Sequence, residues 1–421
     1  MASLTVYGKL RGAVTPPASK SITHRYLICA ALADKKTVIR DFCDSMDTRA
    51  TISCLKSLGA GIEIEGADIT VTPIGRNRLP AGCTLDCQES GSTLRFMLPL
   101  VSALGCGATF TAGGRLPERP LSPLYEQLLE HGMKLGGNGI MPLTAAGALT
   151  PGDFTIDAGI SSQFTSGLLM ALPLLDAGSR IVLSGKRESA PYIDMTVSVL
   201  KQFGVSVYES RDTFTVPGNQ TFRSPVSVTV EKDWSAAANW LVAGCIGGSI
   251  ECLGLEWPGS LQGDRRIVEL LRSMGARIET GSGVRVLPSR LHGIDADCSD
   301  IPDLVPALAV AAATAQGESR LTGIGRLRLK ESDRIESVCS MLRSFGIQCS
   351  ATDDSIHICG GYPHCATACP QGDHRIAMAA AVLATAADGE STIKNVDCTA
   401  KSYPDFFRDF RNLGGRTIER K

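Results

Sequence analysis

The chain is expected to fold as an α/β protein in which one supersecondary unit is used six times, three units to each of two domains. Three observations predict this: a repeated helix stop, a constant order of elements between stops, and an N-terminal strand that supplies what the last unit lacks. The stop reads LKSLGA at Leu55–Ala60, LLEHGM at Leu128–Met133, LKQFGV at Leu200–Val205, LLRSMGA at Leu270–Ala276, LRSFGI at Leu342–Ile347 and FRNLGG at Phe410–Gly415. Its glycines, Gly59, Gly132, Gly204, Gly275, Gly346 and Gly414, are 73, 72, 71, 71 and 68 residues apart. A glycine past the last helical turn enters the left-handed region without a Cβ clash, and so ends the helix. Six such stops at nearly one period mark six copies of one unit.

An apolar helix opens each unit, as in Thr93–Leu104, Phe164–Leu175, Ala236–Ile246 and Ile376–Ala387. A strand follows, as in Ala108–Thr111, Arg180–Ser184, Ser249–Leu253 and Ser391–Val396. The amphipathic helix that ends at the glycine comes next, then two short strands such as Gly61–Glu65 and Asp68–Pro73. The first helices are apolar nearly all round and should be buried; the second carry a polar face and should lie outside. After Gly414 only Gly415–Lys421 remain, enough for one strand. Ser3–Lys9 alternates and precedes the first unit, so it is expected to complete the sixth. The expected domains are residues 13–223, and residues 1–12 together with 224–421.

The 421 residues are 43% hydrophobic and carry 42 basic against 43 acidic side chains, which gives no net field for nucleic acid. No stretch is long and apolar enough to span a bilayer, and the N-terminus reads as a strand rather than a secretion leader. Fifteen cysteines, an odd count, fit reduced thiols, and a cytoplasmic location is expected. His357, Cys359, His364, Cys365 and Cys369 form a loose cluster whose spacing matches no zinc finger, knuckle or ribbon, so no metal is expected.

The chemistry is expected at the starts of the six first helices. These read Ser19–Lys20–Ser21, Glu89–Ser90–Gly91–Ser92, Ser161–Ser162–Gln163, Asp233–Trp234–Ser235, Ile301–Pro302–Asp303 and Gly372–Asp373–His374–Arg375. Helix capping explains much of this, for Ser90, Ser235 and Asp373 above all. Capping does not explain Lys20, His374 and Arg375, with Arg25 and Arg95 close behind. A cation at a helix N-terminus costs roughly 0.3–1 kcal/mol unless an anion is near. Helix-end amides with guanidinium groups make a phosphate and carboxylate site, and equivalent positions of successive units lie on one face. Arg115 and Arg119 in GGRLPERP, and Arg328, Lys330, Glu331 and Arg334 in RLRLKESDR, add to the set from stiff turns and helix starts.

Nine segments in order, ASKSITHR, ESGSTLR, ERPLSPL, SSQF, SAPYIDMT, IPD, LKESDR, DHRIAMA and CTAKSYPD, resemble the 5-enolpyruvylshikimate-3-phosphate synthase family of enolpyruvyl transferases. The resemblance runs from Ala18 to Asp405. It implies a two-domain inside-out α/β barrel of six βαβαββ units. The implied reaction transfers the enolpyruvyl group of phosphoenolpyruvate to the 5-hydroxyl of shikimate 3-phosphate with release of phosphate, on the route to chorismate and aromatic amino acids. No cofactor is implied, and the expected partners are these two small molecules, with no nucleic acid, no membrane and a monomeric chain.

The resemblance also implies roles. Lys20, Ser21, Arg25, Ser161, Ser162, Gln163 and Ser189, with Tyr192 beside them, would hold shikimate 3-phosphate together with Asp303 and Lys330. Phosphoenolpyruvate would be held by Lys20, Gly91, Arg119, Gln163, Arg334, His374, Arg375 and Lys401. Asp303 would take the proton from the attacking hydroxyl, Lys330 with Glu331 would contact the substrate hydroxyl and handle the proton at the methylene carbon, and Lys20 would complete the catalytic set. Two positions depart from the better-known pattern: Phe96 stands where a proline is usual, and Arg326 where an asparagine contacts the sugar phosphate. The alternative is the sister enzyme acting on UDP-N-acetylglucosamine; its common form carries a Cys in the loop that here reads GGRLPERP, and an Asn where Ser21 follows Lys20. An RNA 3′-phosphate cyclase and an inert anion-binding scaffold are more distant rivals. Ligand binding is expected to close the domains, with hinges near Arg11–Thr15 and Phe222–Val228.

Overall fold

The computed structural model describes residues 2–75, 79–137 and 139–420, so Met1 and Lys421, the outer ends of the expected second domain, lie outside the described residues. The chain divides into two compact units, Ala18–Val230, and Met1–Pro17 with Glu231–Lys421. All six stop glycines have positive φ, between 72° and 99°. This backbone is the one glycine adopts most readily, and it explains why the stop recurs.

Twelve α-helices are described: α1 Lys20–Leu32, α2 Met46–Ser57, α3 Gly91–Ala103, α4 Leu124–Glu130, α5 Ser162–Ala171, α6 Ala190–Gln202, α7 Trp234–Ile246, α8 Ile267–Ser273, α9 Val305–Ala313, α10 Arg334–Ser344, α11 His374–Ala384 and α12 Phe406–Asn412. The odd-numbered helices are the apolar ones: every residue of α9 and α11 is buried. Helices α7, α9 and α11 pack on one another, and each packs on a sheet of its own. Helix α5 ends at Ala171, short of Leu175, because Pro173 has no amide hydrogen to continue it and a 3-10 turn follows. Helix α11 likewise ends at Ala384, where the Thr385 hydroxyl turns back to the Val382 carbonyl at 2.7 Å.

Among the described residues, six four-stranded sheets share one order. In each, a first strand runs parallel to a second, which pairs antiparallel with a fourth, which pairs antiparallel with a third; Asp153–Asp157, Ser179–Ser184, Thr213–Val216 and Tyr208–Ser210 are one example. Three sheets take a strand from far along the chain. Ser3–Tyr7 lies between Ser391–Ile393 and Arg416–Arg420, and so fills the sixth sheet. Gly12–Val14 runs parallel to Ile250–Leu253, and Ser227–Thr229 parallel to Thr37–Arg40. These last two pairings correct the expected boundaries. Residues up to Pro17 belong with the second unit and residues up to Val230 with the first, rather than dividing after residues 12 and 223.

In Ala18–Val230, α3 and α5 lie side by side. A Cβ at Gly167 of α5 would run into the Arg95 carbonyl oxygen of α3, so only glycine allows this approach.

Candidate functional site

Side-chain capping accounts for four of the six helix starts and is missing at two, α1 and the Ile301–Asp303 start of α9. Ser90 accepts the Thr93 amide at 3.2 Å, Ser161 the Gln163 amide at 3.3 Å, Asp233 the Ala236 amide at 2.8 Å and Asp373 the Arg375 amide at 2.9 Å. Ser19 is fully buried and makes no cap bond, although Lys20 begins α1 directly after it. Ser235 is not a cap; its hydroxyl donates to Asp264.

The first unit gathers its predicted residues on α1, α3, α5 and α6. Lys20 pairs with Asp47 at 2.6 Å. Arg25 is buried, and all four of its hydrogen bonds go to neutral oxygens: Thr196 Oγ1 at 2.7 Å, the Ser21 carbonyl at 2.7 Å, the Tyr192 carbonyl at 2.8 Å and Ser166 Oγ at 3.3 Å. Burial pulls its guanidinium down to about 10, which leaves it charged near neutrality. Phe96, the departure from the usual proline, lies against this guanidinium at 5.3 Å from ring centroid to Cζ. A buried cation among neutral partners invites an anion.

The contact of α3 with α5 sets the next group. Gln163 accepts from Arg95 Nη1 at 2.7 Å and donates to Ser92 Oγ at 2.9 Å. Arg95 also reaches the Pro120 carbonyl at 3.1 Å, next to Arg119. Gly91 fits between the two arginines: an added Cβ would stand 2.7 Å from Arg95 Nη1 and 2.9 Å from Arg119 Nη1. Ser162 is buried at the start of α5. Ser189 is buried at the start of α6 with a left-handed φ of 55°, a backbone that costs a non-glycine residue about 1–3 kcal/mol and is common where a side chain is aimed for function.

The second unit gathers the remainder around Arg334, the first residue of α10, which is 1% exposed. Its Nε donates to Asp373 at 2.9 Å, Nη1 to Asp303 at 2.9 Å and Nη2 to Glu331 at 2.6 Å. The second Asp303 oxygen accepts from Arg375 Nη2 at 2.7 Å. Burial would raise the Asp303 carboxyl, but Arg375, Lys330 and Arg334 outweigh it and hold the group well below the usual carboxylate range. Lys330 is the residue that closes a 3-10 turn, Gly325–Leu329, and does not start a helix as the sequence suggested. Burial pulls its ammonium down to about 7, against the attraction of Asp303 and Glu331. His374 and Arg375 are the first two residues of α11, and Lys401 is buried at the end of a turn, Val396–Lys401, that packs on the same helix.

Some singled-out residues do other work. Arg115 pairs with Glu118 at the surface, and Arg328 with Asp333. Arg326 is buried and donates to the Ser299 carbonyl, just before the Asp303 turn. His357 bonds Glu318 at 3.2 Å, and among the described residues no three His, Cys, Asp or Glu side chains are grouped as a metal would need.

Three residues belong to the site without having been singled out for it. Asp47 lies far from Lys20 in sequence and gave no signal. Asp373 read only as a cap, although its second oxygen also accepts from Ser332 and Arg334. Asp264 is buried, its Oδ1 has no protein partner among the described residues, and burial with the Asp303 charge pushes it up to about 7 against the pull of Arg375.

A family model described as EPSP synthase (3-phosphoshikimate 1-carboxyvinyltransferase) matches residues 4–410. A Clostridium kluyveri protein named 3-phosphoshikimate 1-carboxyvinyltransferase is 40% identical over 415 residues, covering 98% of this chain and 97% of its own. A Methanocorpusculum labreanum protein of the same name is 39% identical over 412 residues, covering 96% and 97%. The EPSP synthase structure from Acinetobacter baumannii superposes with a TM-score of 0.83 at 24% identity over the whole of both chains. The enolpyruvyl transferase NikO from Streptomyces tendae gives 0.78 at 20% identity, covering 99% of this chain and 98% of that one, and shares the fold. No described helix is long and apolar enough to cross a membrane.

Proposed function

The chain belongs to the EPSP synthase family and transfers the enolpyruvyl group of phosphoenolpyruvate to shikimate 3-phosphate; we propose that the two sets of residues above divide this reaction between binding and proton transfer. Shikimate 3-phosphate is held by Lys20, Ser21, Arg25, Ser161, Ser162, Gln163 and Ser189. Phosphoenolpyruvate is held by Lys20, Gly91, Arg119 and Gln163, and by Arg334, His374, Arg375 and Lys401. No cofactor and no nucleic acid take part, and the chain works as a monomer.

The chemistry needs a proton donor that later accepts, a separate base, and cations for phosphate and carboxylate. Glu331, beside Lys330, gives a proton to the methylene carbon, which leaves positive charge on the carbon bearing the phosphate oxygen. The 5-hydroxyl attacks that carbon while Asp303 takes its proton. Removal of a proton from the new methyl group restores the double bond, and phosphate leaves. The cationic intermediate has to be shielded from water.

One observation carries the reading of the site. Asp303 and Glu331, which the sequence separates, bond the same Arg334 guanidinium, so a base and an acid–base carboxyl stand together among cations. Phosphate release should appear with phosphoenolpyruvate and shikimate 3-phosphate, and not when UDP-N-acetylglucosamine replaces the latter. Asp303→Asn should lower turnover by about 10²–10⁴ while both ligands still bind. Normal turnover in that variant would remove Asp303 from the mechanism.

A further inference from the structure

The arrangement around Asp303 poses a chemical difficulty. Both of its oxygens accept from guanidinium groups, Oδ1 from Arg334 and Oδ2 from Arg375. A carboxylate held in this way is a weak base, and general-base efficiency falls as basicity falls. Glu331 is tied to the same Arg334 at 2.6 Å. Both proton-handling groups are therefore clamped by the cations that the proposed function assigns to phosphoenolpyruvate.

We propose that Arg334 and Arg375 keep Asp303 and Glu331 idle in the unliganded protein, and that the anionic groups of phosphoenolpyruvate, by taking over these two arginines, release both carboxylates for proton transfer. The inference rests on the assignment of Arg334 and Arg375 to phosphoenolpyruvate. Charge and geometry support the exchange. Arg334 already pairs with Asp303, Glu331 and Asp373, and Arg375 with Asp303, so an anion drawn to these arginines competes with carboxylates for the same cations. Asp373 is the anchor that stays. It is fully buried, accepts from Arg334 Nε and caps α11 through the Arg375 amide, so it holds both arginines in place while Nη1 and Nη2 change partners. The charged groups acting on Asp303 are Arg375 from α11, Arg334 from α10, Lys330 and Glu331 from the turn before it, and Asp264 from the 3-10 turn Gly263–Arg266.

The proposal has a measurable converse. If the anion competes with the Asp303 charge for the arginines, removing that charge strengthens anion binding, since coupling between two bound species is reciprocal. Calorimetric titration of phosphoenolpyruvate, with 5-deoxyshikimate 3-phosphate present so that no reaction occurs, should show Asp303→Asn binding about 5- to 150-fold more tightly than the parent protein, the usual range of such coupling. Arg375→Gln should bind more weakly. Equal or weaker binding in Asp303→Asn, with weaker binding in Arg375→Gln, would overturn the clamp and leave the ligand assignment standing. Unchanged binding in Arg375→Gln would overturn both. A second measurement needs no variant of the cluster: in parent protein labelled with carboxyl-¹³C aspartate, a pH titration should show one strongly acidic carboxyl becoming more basic when phosphoenolpyruvate and the deoxy analogue are added. No such change at saturation would also refute the release.

Discussion

Replacing Asp264 by Asn should remove a pH-dependent weakness from the Glu231–Lys421 unit. Asp264 is 2% exposed, and burial and the Asp303 charge raise its carboxyl from 3.8 to about 7. The folded protein therefore keeps a proton that the unfolded chain gives up near pH 4. The stability tied to that proton is fully present below pH 4 and is lost as pH rises through about 7. A rise from 3.8 to about 7 corresponds to about 4 kcal/mol in all. Between pH 5 and pH 8 the loss is about 2–3 kcal/mol, because folded and unfolded states differ by one proton over most of that interval. Asparagine presents the same shape and an acceptor for the Ser235 hydroxyl, and does not titrate. The variant should therefore gain about 2–3 kcal/mol on the parent between pH 5 and pH 8, whatever their difference at pH 5. Urea unfolding at both pH values measures this, and the three tryptophans, Trp234, Trp240 and Trp257, confine the fluorescence signal to the unit that holds Asp264. A gap between variant and parent that stays constant with pH would refute the reasoning.

Lys330 should set a basic limb: kcat/KM for phosphoenolpyruvate falls as pH rises through about 7 and the ammonium is lost, and Lys330→Arg carries the limb to higher pH in a rate profile. Gly91→Ala would drive a methyl group between Arg95 and Arg119, so KM for phosphoenolpyruvate should rise about tenfold or more, a displacement of about 1.4 kcal/mol, with KM for shikimate 3-phosphate little changed in steady-state assays. Arg119→Ala should raise KM for phosphoenolpyruvate far more than that for shikimate 3-phosphate; equal effects would put this arginine in the other subsite.

The repeat was legible because a helix stop is local chemistry. Each of Gly59, Gly132, Gly204, Gly275, Gly346 and Gly414 takes the left-handed backbone that its neighbours in sequence already imply. Pro173 carried an equally local signal, yet the apolar run around it hid the end of α5. Gly12–Val14 and Ser227–Thr229 were not legible as strands. Each is three residues long, too short to alternate, and each is defined only by a partner distant along the chain. The same division holds in the site. Lys20, His374 and Arg375 declared themselves as cations where a helix dipole disfavours them. Asp47, Asp264 and the second role of Asp373 appear only in three dimensions, since a carboxylate beside a helix start looks the same in sequence whether it meets water, a lysine or two arginines.

The placing of Ser3–Tyr7 in the interior of the sixth sheet has a consequence for how the molecule is made. Ser227–Thr229 is available before the remaining residues are synthesised, so Ala18–Val230 can complete its sheets while the chain is still growing. The other unit cannot. Its strand Ser3–Tyr7 is made long before one of its two partners, Arg416–Arg420. At roughly 5–20 residues per second, that strand stays without Arg416–Arg420 for tens of seconds, with its edge open to any other chain. The hazard is met by brevity and polarity: Ser3, Thr5 and Tyr7 alternate with Leu4 and Val6, so only two strongly apolar side chains face one way. The ribosome thus delivers one half of the protein finished while the other half still waits for Arg416–Arg420.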